Sequence, residues 1–143
     1  MHEVSFDETL EIIRAKDPRY ARDAYQFVRQ ALDYTQKSIG RENRGRIRHV
    51  SGQELLGGIR GFALGQFGPM AMTVFEEWGI HECHDFGEIV FNMVENGLLA
   101  KTDQDTRADF DGGYDFYEAF RRPFLPSSRQ TKPHAAPASS SGN

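Results

Sequence analysis

The sequence predicts a mainly helical protein with one small β-hairpin, in which an N-terminal helical pair packs on a winged-helix-like unit of three helices plus the hairpin. Three observations lead to this prediction. Capping boxes of the S-x-x-E and D-x-x-E type precede apolar stripes with helical spacing. Glycine follows several of these stripes, as it does at helix ends. After Gly97 the helical period gives way to short segments separated by polar turns, which favours a hairpin.

The N-terminal pair is predicted over residues 5–37. Ser5 and Glu8 have capping-box spacing ahead of the first apolar positions. Asp17 and Pro18 offer an N-cap and a first-turn proline to the second helix. The apolar stripe of that helix consists of Tyr20, Ala24, Phe27, Val28, Ala31 and Tyr34. Spacings of three and four predict that this stripe faces a core.

The winged-helix-like part is predicted over residues 51–120. Its three helices are 52–67, 69–78 and 85–96. Ser51 and Glu54 form the capping box of the first helix, and Asp85 with Glu88 has the same spacing at the start of the third. The order helix, helix, helix, hairpin is typical of a winged helix.

The hairpin, residues 98–111, would be the wing of this unit. Both the wing and the exposed face of the third helix are rich in carboxylates. Since a winged helix places its third helix in the major groove, these carboxylates would meet phosphates. A protein partner therefore fits this surface better than DNA does.

Three glycines recur every four residues on one side of the predicted 52–67 helix: Gly57, Gly61 and Gly65. Each glycine inside a helix costs about 1 kcal/mol relative to alanine, so a compensating gain is expected. Close approach of another helix inside the domain is favoured over a partner's backbone lying on this face.

Trp78 precedes Gly79 at the end of the second of these helices. Helices joined by a short turn usually lie side by side. We therefore expect Trp78 to be mostly buried against Phe91 or Val94 of the next helix.

The bulk properties predict one globular domain over residues 1–126 with a disordered tail over 127–143, where proline, serine and alanine replace the apolar periodicity. The chain has 143 residues and a net charge of −4, which argues against a surface dedicated to nucleic acid.

The single cysteine excludes an intramolecular disulfide. The chain lacks a signal-peptide pattern and a long apolar run, so a soluble, cytoplasmic protein without a membrane partner is predicted.

The stretch HECHDFGEIVF, residues 81–91, concentrates groups capable of chemistry. His81, Cys83, His84 and Asp85 are too close in sequence to surround one zinc ion, and no second cluster completes a ligand set. A turn followed by a capped helix is favoured. No cofactor, no metal ion and no catalytic residue is predicted, and Cys83 is more typical of a small buried side chain than of a nucleophile.

A basic loop is predicted over residues 37–50, with a net charge of +4 over 37–49. Its basic residues are Lys37, Arg41, Arg44, Arg46 and Arg48. The segment is interpreted either as a solvated connector or as an anion-binding arm that contacts nucleic acid or an acidic partner. The lack of interleaved aromatic residues argues against stacking on single strands.

Three stretches of the chain resemble a conserved-hypothetical family of planctomycete and verrucomicrobial proteins. They are DPRYARDAYQFVRQALDYTQ, HVSGQELLGGIRGFALGQFGPMAMTVFEEWGI and DFGEIVFNMVENGLLAKTDQDTRADFDGGYDFYEAF. The resemblance covers residues 5 to about 126. It implies a bacterial protein that forms one unit, and it transfers no catalytic residue.

Taken together, these features favour a non-enzymatic protein-interaction domain. The partner's identity is left open. The alternative is a nucleic-acid-associated protein that binds phosphate through the basic residues of 37–49. An enzyme is a third and less favoured option, which a concave pocket lined by His81, Cys83 or His84 would support.

Overall fold

The computed structural model describes residues 5–42, 49–100 and 107–126 of the chain. Five α-helices are present in these residues: α1 Phe6–Lys16, α2 Arg22–Glu42, α3 Gly52–Phe67, α4 Ala71–Glu77 and α5 Cys83–Glu95. Four short helical segments accompany them: the 3₁₀ turns Gly68–Met70, Arg107–Phe110 and Arg122–Phe124, and the π turn Tyr117–Arg121. All regular secondary structure in the described residues is helical, and these residues contain no β-strand.

The predicted β-hairpin at 98–111 is wrong, and with it the winged-helix interpretation. Residues 107–110 form a 3₁₀ turn instead of a strand. Because side chains three residues apart share one face of a 3₁₀ turn, Arg107 and Phe110 both reach α5. Arg107 pairs with carboxylates of that helix, and Phe110 packs against Gly87. A strand would have sent the two side chains to opposite faces. Residues 101–106 lie outside the described ranges.

Two of the predicted capping boxes are confirmed. Ser5 Oγ accepts the Glu8 N–H at 3.0 Å, and Glu8 Oε1 accepts the Ser5 N–H at 3.0 Å. Ser51 and Glu54 repeat this exchange at 3.1 and 3.0 Å. Each box satisfies two N–H groups that have no partner within their own helix, which fixes the start of α1 and of α3.

The predicted start of the second helix at Asp17-Pro18 is wrong. Asp17 is the C-cap of α1, and α2 begins only at Arg22. The carboxylate of Asp17 is held by both Arg19 and Asn92, so tertiary contacts use the group that was expected to cap α2. At its other end α2 runs on to Glu42, beyond the predicted end of the helical pair at residue 37.

The predicted capping box Asp85–Glu88 is also wrong, because α5 begins earlier, at Cys83. Asp85 lies in the first turn of α5, where its Oδ2 accepts the N–H groups of His81 at 2.8 Å and Glu82 at 3.2 Å. Its Oδ1 accepts the hydroxyl of Tyr20 at 2.6 Å. The carboxylate therefore closes the helix end and ties it to the segment between α1 and α2.

An aromatic cluster forms the centre of the core. Phe75 of α4 is fully buried and contacts Phe27 of α2, Phe86 of α5 and Phe120 of the π turn, with ring centroids 5.1–5.4 Å apart. The C-terminal residues 107–124 thus close over the helices. Tyr114 of this segment donates its hydroxyl to the carbonyl of Leu56 in α3 at 2.7 Å.

Trp78 extends this cluster at its edge. The side chain is only partly buried, whereas it was expected to be mostly buried, and its neighbours are the rings of Phe27, Phe67 and Phe75, at 5.6–6.1 Å. The expected packing against the Phe91 ring is wrong. Phe91 instead faces Phe110, with ring centroids 6.4 Å apart.

The predicted helix contact along Gly57, Gly61 and Gly65 is wrong for two of these glycines. A Cβ placed on Gly57 or Gly65 would meet nothing within 4 Å, and one on Gly61 would only touch the Tyr34 ring. The close approach occurs one position away, at Gly58, which faces α2.

Candidate functional site

The stretch that begins at His81 makes contacts that stabilise the fold, and His81, Cys83 and His84 also line a wide, open pocket with Asp111 and Tyr114. Cys83 is buried, and its sulfur lies 3.4 Å from both the backbone nitrogen and the carbonyl oxygen of Tyr114. Burial raises the pKa of the Cys83 thiol, which disfavours the reactive thiolate at neutral pH. Across the part of the chain that the structure describes, no three His, Cys, Asp or Glu residues gather in a group able to hold a metal ion.

His84 lies at the surface between two carboxylates. Its Nδ1 is 2.8 Å from Oδ1 of Asp111, and its Nε2 is 3.6 Å from Oε2 of Glu88. The hydrogen bond to Asp111 is the main reason that the pKa of His84 is raised. This histidine therefore connects α5 to the turn that follows Phe110.

Glu88 is the centre of a charged network that joins three parts of the chain. Its carboxylate receives Arg19 at 3.0 Å and Arg107 at 3.1 Å, while its side chain is only 15% exposed. Burial works against ionisation of Glu88, yet the hydrogen bonds and charges of the two arginines outweigh burial and lower its pKa. Arg19 also binds Asp17 through two hydrogen bonds, of 2.8 and 2.7 Å, and this pairing holds the pKa of Asp17 well below its usual range.

The buried phenols are likewise engaged in structural contacts. Burial raises the pKa of Tyr20, Tyr25 and Tyr114. Asn92 donates at 3.0 Å both to the Tyr25 hydroxyl and to Asp17. None of these shifts moves a group toward the neutral range in which a general acid or base works best.

The predicted anion-binding residues are only partly described. Lys37 and Arg41 lie on α2 rather than in a loop. Lys37 pairs with Asp33 at 3.0 Å, and Arg41 lies 3.5 Å from the hydroxyl of Ser38. The other three predicted residues, Arg44, Arg46 and Arg48, lie outside the described residues. Binding of nucleic acid by this segment therefore stays a prediction.

An apolar cleft with a volume of about 330 Å³ lies between α2, α3, α5 and the Arg107–Phe110 turn. Its lining residues are Leu32, Gln36, His49, Val50, Ser51, Gly52, Leu55, Val90, Phe91, Val94, Leu98, Leu99, Ala100 and Phe110. Polar side chains are confined to Gln36, His49 and Ser51. Most of the apolar side chains are partly exposed, so the cleft presents hydrophobic surface to a ligand.

The cleft is not predictable from the sequence. Its walls come from four separate segments of the chain, and the wall residues on α2, α3 and α5 look locally like ordinary core positions of amphipathic helices. The one local signal was the apolar pair Leu98-Leu99 directly after the helix-ending Gly97. Apolar side chains at that position need a neighbour outside the helix, and here they line the cleft.

Comparisons of the chain with protein-family models, with curated proteins and with solved structures found no significant match. The resemblance to a planctomycete and verrucomicrobial family therefore stays a prediction. Within the described residues, no helix is both long and apolar enough to cross a membrane.

Proposed function

We propose that this chain is a non-enzymatic protein-interaction domain that receives apolar side chains of a protein partner in the cleft. The single observation that carries the proposal is the lining of that cleft. Its apolar residues come from α2, α3, α5, the Arg107–Phe110 turn and the segments that directly precede α3 and follow α5. Its three polar residues are Gln36 of α2, His49 and Ser51. Centres of protein interfaces are apolar and depleted in charge in the same way.

The volume of the cleft suits side chains better than a large ligand. A cavity of roughly 150 Å³ is enough for a benzene molecule. The cleft, at about 330 Å³, therefore has room for about two ring-sized groups. An amphipathic helix that inserts two apolar anchors, three or four residues apart, is a recognised partner for such a groove.

The states of Cys83, Asp17 and Glu88 support a role without catalysis. The thiol of Cys83 is buried with a raised pKa, and the carboxylates of Asp17 and Glu88 are held ionised by arginines. An acyl-transfer or hydrolytic site would need a nucleophile within hydrogen-bond reach of a base. In the described residues the contacts of Cys83 are to the backbone of Tyr114 instead. A cytoplasmic location remains part of the proposal.

A pair of matched substitutions tests the proposal. Val94 lines the cleft from α5 and Val74 lies on α4 outside it, and both valines are partly buried. The tagged chain and the variants Val94→Gln and Val74→Gln are used to isolate partners from the native host, and circular dichroism confirms that each is folded. We expect a stoichiometric protein that is retained by the wild type and by Val74→Gln and is lost by Val94→Gln.

Two outcomes would contradict the proposal. One is a partner that binds both variants equally well, since the cleft would then not be the contact. The other is turnover in broad activity screens that a single substitution abolishes without unfolding the chain. Release of a small apolar molecule from the wild type on denaturation, with no protein partner, would replace the proposal by a ligand-binding function.

A further inference from the structure

One wall of the cleft is the Arg107–Phe110 turn, and ion pairs hold both ends of this turn on α5. At its start Arg107 pairs with Glu88 at 3.1 Å and Glu95 at 2.7 Å on α5. Directly after its end, Asp111 holds His84 at 2.8 Å. Between the ion pairs of Arg107 and the ion pair of Asp111, Phe110 points inward and lines the cleft.

The ion pairs of Arg107 and the contact between His84 and Asp111 differ in their response to pH. Guanidinium groups stay protonated throughout the range in which imidazole titrates, so only the contact made by His84 contains a group that changes charge there. The imidazole of His84 faces a carboxylate from each ring nitrogen, Asp111 at Nδ1 and Glu88 at Nε2. Only the protonated ring carries an N–H on both nitrogens, so the geometry favours the charged form.

We propose that His84 and Asp111 form a proton-dependent latch that holds the Arg107–Phe110 wall of the cleft on α5. The consequence for partner binding rests on the proposed function of the cleft. The latch itself does not, because it is a property of the isolated chain.

The charges around His84 support this direction. Asp85 and Glu88 face it from α5, and Asp111 faces it from the turn. Arg19 and Arg107 are nearby cations, and both pair with Glu88. The pKa of His84 is accordingly raised, chiefly by the hydrogen bond to Asp111, while burial opposes the shift slightly.

A raised pKa in the folded state fixes the sign of the effect. The stabilisation by the latch is fully present below the unfolded value near 6.5, and it is lost as the pH rises through the higher folded pKa. The wall is therefore held more tightly at mildly acidic pH than at alkaline pH. A neutral His84 can still donate one hydrogen bond to Asp111, so loosening of the wall is expected rather than its detachment.

Packing connects the latch to the interior of the cleft. A Cβ on Gly87 would lie 2.8–3.0 Å from Phe110, so that ring sits directly on the α5 backbone. Phe110 also meets Phe91 edge to face, at 6.4 Å. A small movement of the turn must therefore be felt at Phe91 and at its cleft neighbours Val90 and Val94.

Nuclear magnetic resonance on the full chain tests the latch without any partner. The His84 ring signals are titrated between pH 5 and 9, together with the Phe110 and Asp111 amides and the methyl groups of Val90 and Val94. We expect His84 to titrate above 6.5, and the amide and methyl signals to shift with the same midpoint. In Asp111→Asn the His84 midpoint should fall toward 6.5, and the response of the methyl groups should be lost. His81→Gln is the matched control, since His81 is exposed on the same stretch, and it should leave the His84 midpoint unchanged.

Two results would overturn the latch. One is a wild-type His84 that titrates at or below 6.5. The other is a set of Val90 and Val94 methyl groups that stay fixed while His84 titrates. Asp111 is exposed, so the Asp111→Asn variant should fold, and the wild-type titration decides the question even if it does not. These NMR signals are measured on the chain without a partner, so a failure to find the proposed partner would not affect them. The latch and the proposed function can therefore be contradicted independently of each other.

Discussion

Gly58 of α3 lies directly against the hydroxyl of Thr35 in α2, so closely that a Cβ on residue 58 would overlap the Thr35 oxygen. Thr35 cannot move aside easily, because it is buried and donates its hydroxyl to the carbonyl of Ala31 at 2.7 Å. The contact between α2 and α3 therefore depends on a missing side chain. These two helices form walls of the cleft, so this packing also sets the shape of the site.

The glycines of α3 should consequently respond in opposite ways to substitution by alanine. Gly58→Ala overpacks the helix contact and should lower the free energy of unfolding by about 1–3 kcal/mol. Gly57→Ala and Gly65→Ala have open space around the new methyl group, and each should raise it by about 0.5–1 kcal/mol. Urea unfolding followed by circular dichroism measures all three. A stabilised Gly58→Ala variant would mean that the helices are not in close contact.

Trp78 reports on the edge of the aromatic cluster. Its ring lies 5.6 Å from Phe27 and 5.7 Å from Phe67, in a partly buried position. Its fluorescence should therefore be blue-shifted from that of a water-exposed indole and should shift red on unfolding. Trp78→Ala should lower the free energy of unfolding by about 3 kcal/mol, at the lower end for such truncations, and Trp78→Phe by less. A water-like emission from the folded chain would contradict this packing.

Asp17 should make the stability of the chain sensitive to acid. A depressed carboxyl pKa stabilises the folded state above the unfolded value near 3.9, and this contribution is lost as the pH falls through the lower folded pKa. Asp17→Asn should therefore cost about 2 kcal/mol at pH 7. The difference from the wild type should persist down to about pH 4 and then shrink. Urea unfolding at a series of pH values measures it, with Asp23→Asn, an exposed carboxylate of α2, as the control that should change little. A difference that is independent of pH would show that Asp17 acts through packing alone.

Cys83 should be unreactive while the chain is folded. The thiol is buried against Tyr114 and its pKa is raised, so little thiolate is exposed at neutral pH. A colorimetric disulfide reagent should modify it slowly in buffer and rapidly in concentrated urea. Ala100→Cys places a second thiol at an exposed position and should react promptly. Fast modification of the wild type would reopen a catalytic role for this cysteine.

Local signals made part of the fold predictable. The Ser5 and Ser51 capping boxes act within one helical turn, so no knowledge of the rest of the chain was needed to place the starts of α1 and α3. The predicted helices 69–78 and 85–96 lie within two residues of α4 and α5 at each end for the same reason, since their apolar stripes and the glycines that follow them are local signals as well. The predicted helix 52–67 coincides with α3.

Tertiary contacts determine the features that the sequence did not predict. Asp17 has the sequence of a helix cap but is held by Arg19 and Asn92, and Asn92 lies 75 positions away in the chain. Residues 107–110 have no strong local preference, and the packing of Phe110 on α5 selects a 3₁₀ turn over a strand. The cleft is assembled from four separate segments, so it exists only after the helices have packed.

Site-directed cross-linking tests the docking role of the cleft most directly. Ala100 lines the cleft and Ala15 lies on α1, both are exposed, and Cys83 is buried, so Ala100→Cys and Ala15→Cys each offer one accessible thiol. Each variant is labelled with a photoactivatable cross-linker and irradiated in a lysate of the native host. We predict one major protein adduct from position 100 and none from position 15. Excess unlabelled wild-type chain should prevent formation of the adduct, and excess Val94→Gln should not. Equal adducts from both positions, or an adduct that Val94→Gln competes away as well as the wild type does, would contradict docking in the cleft.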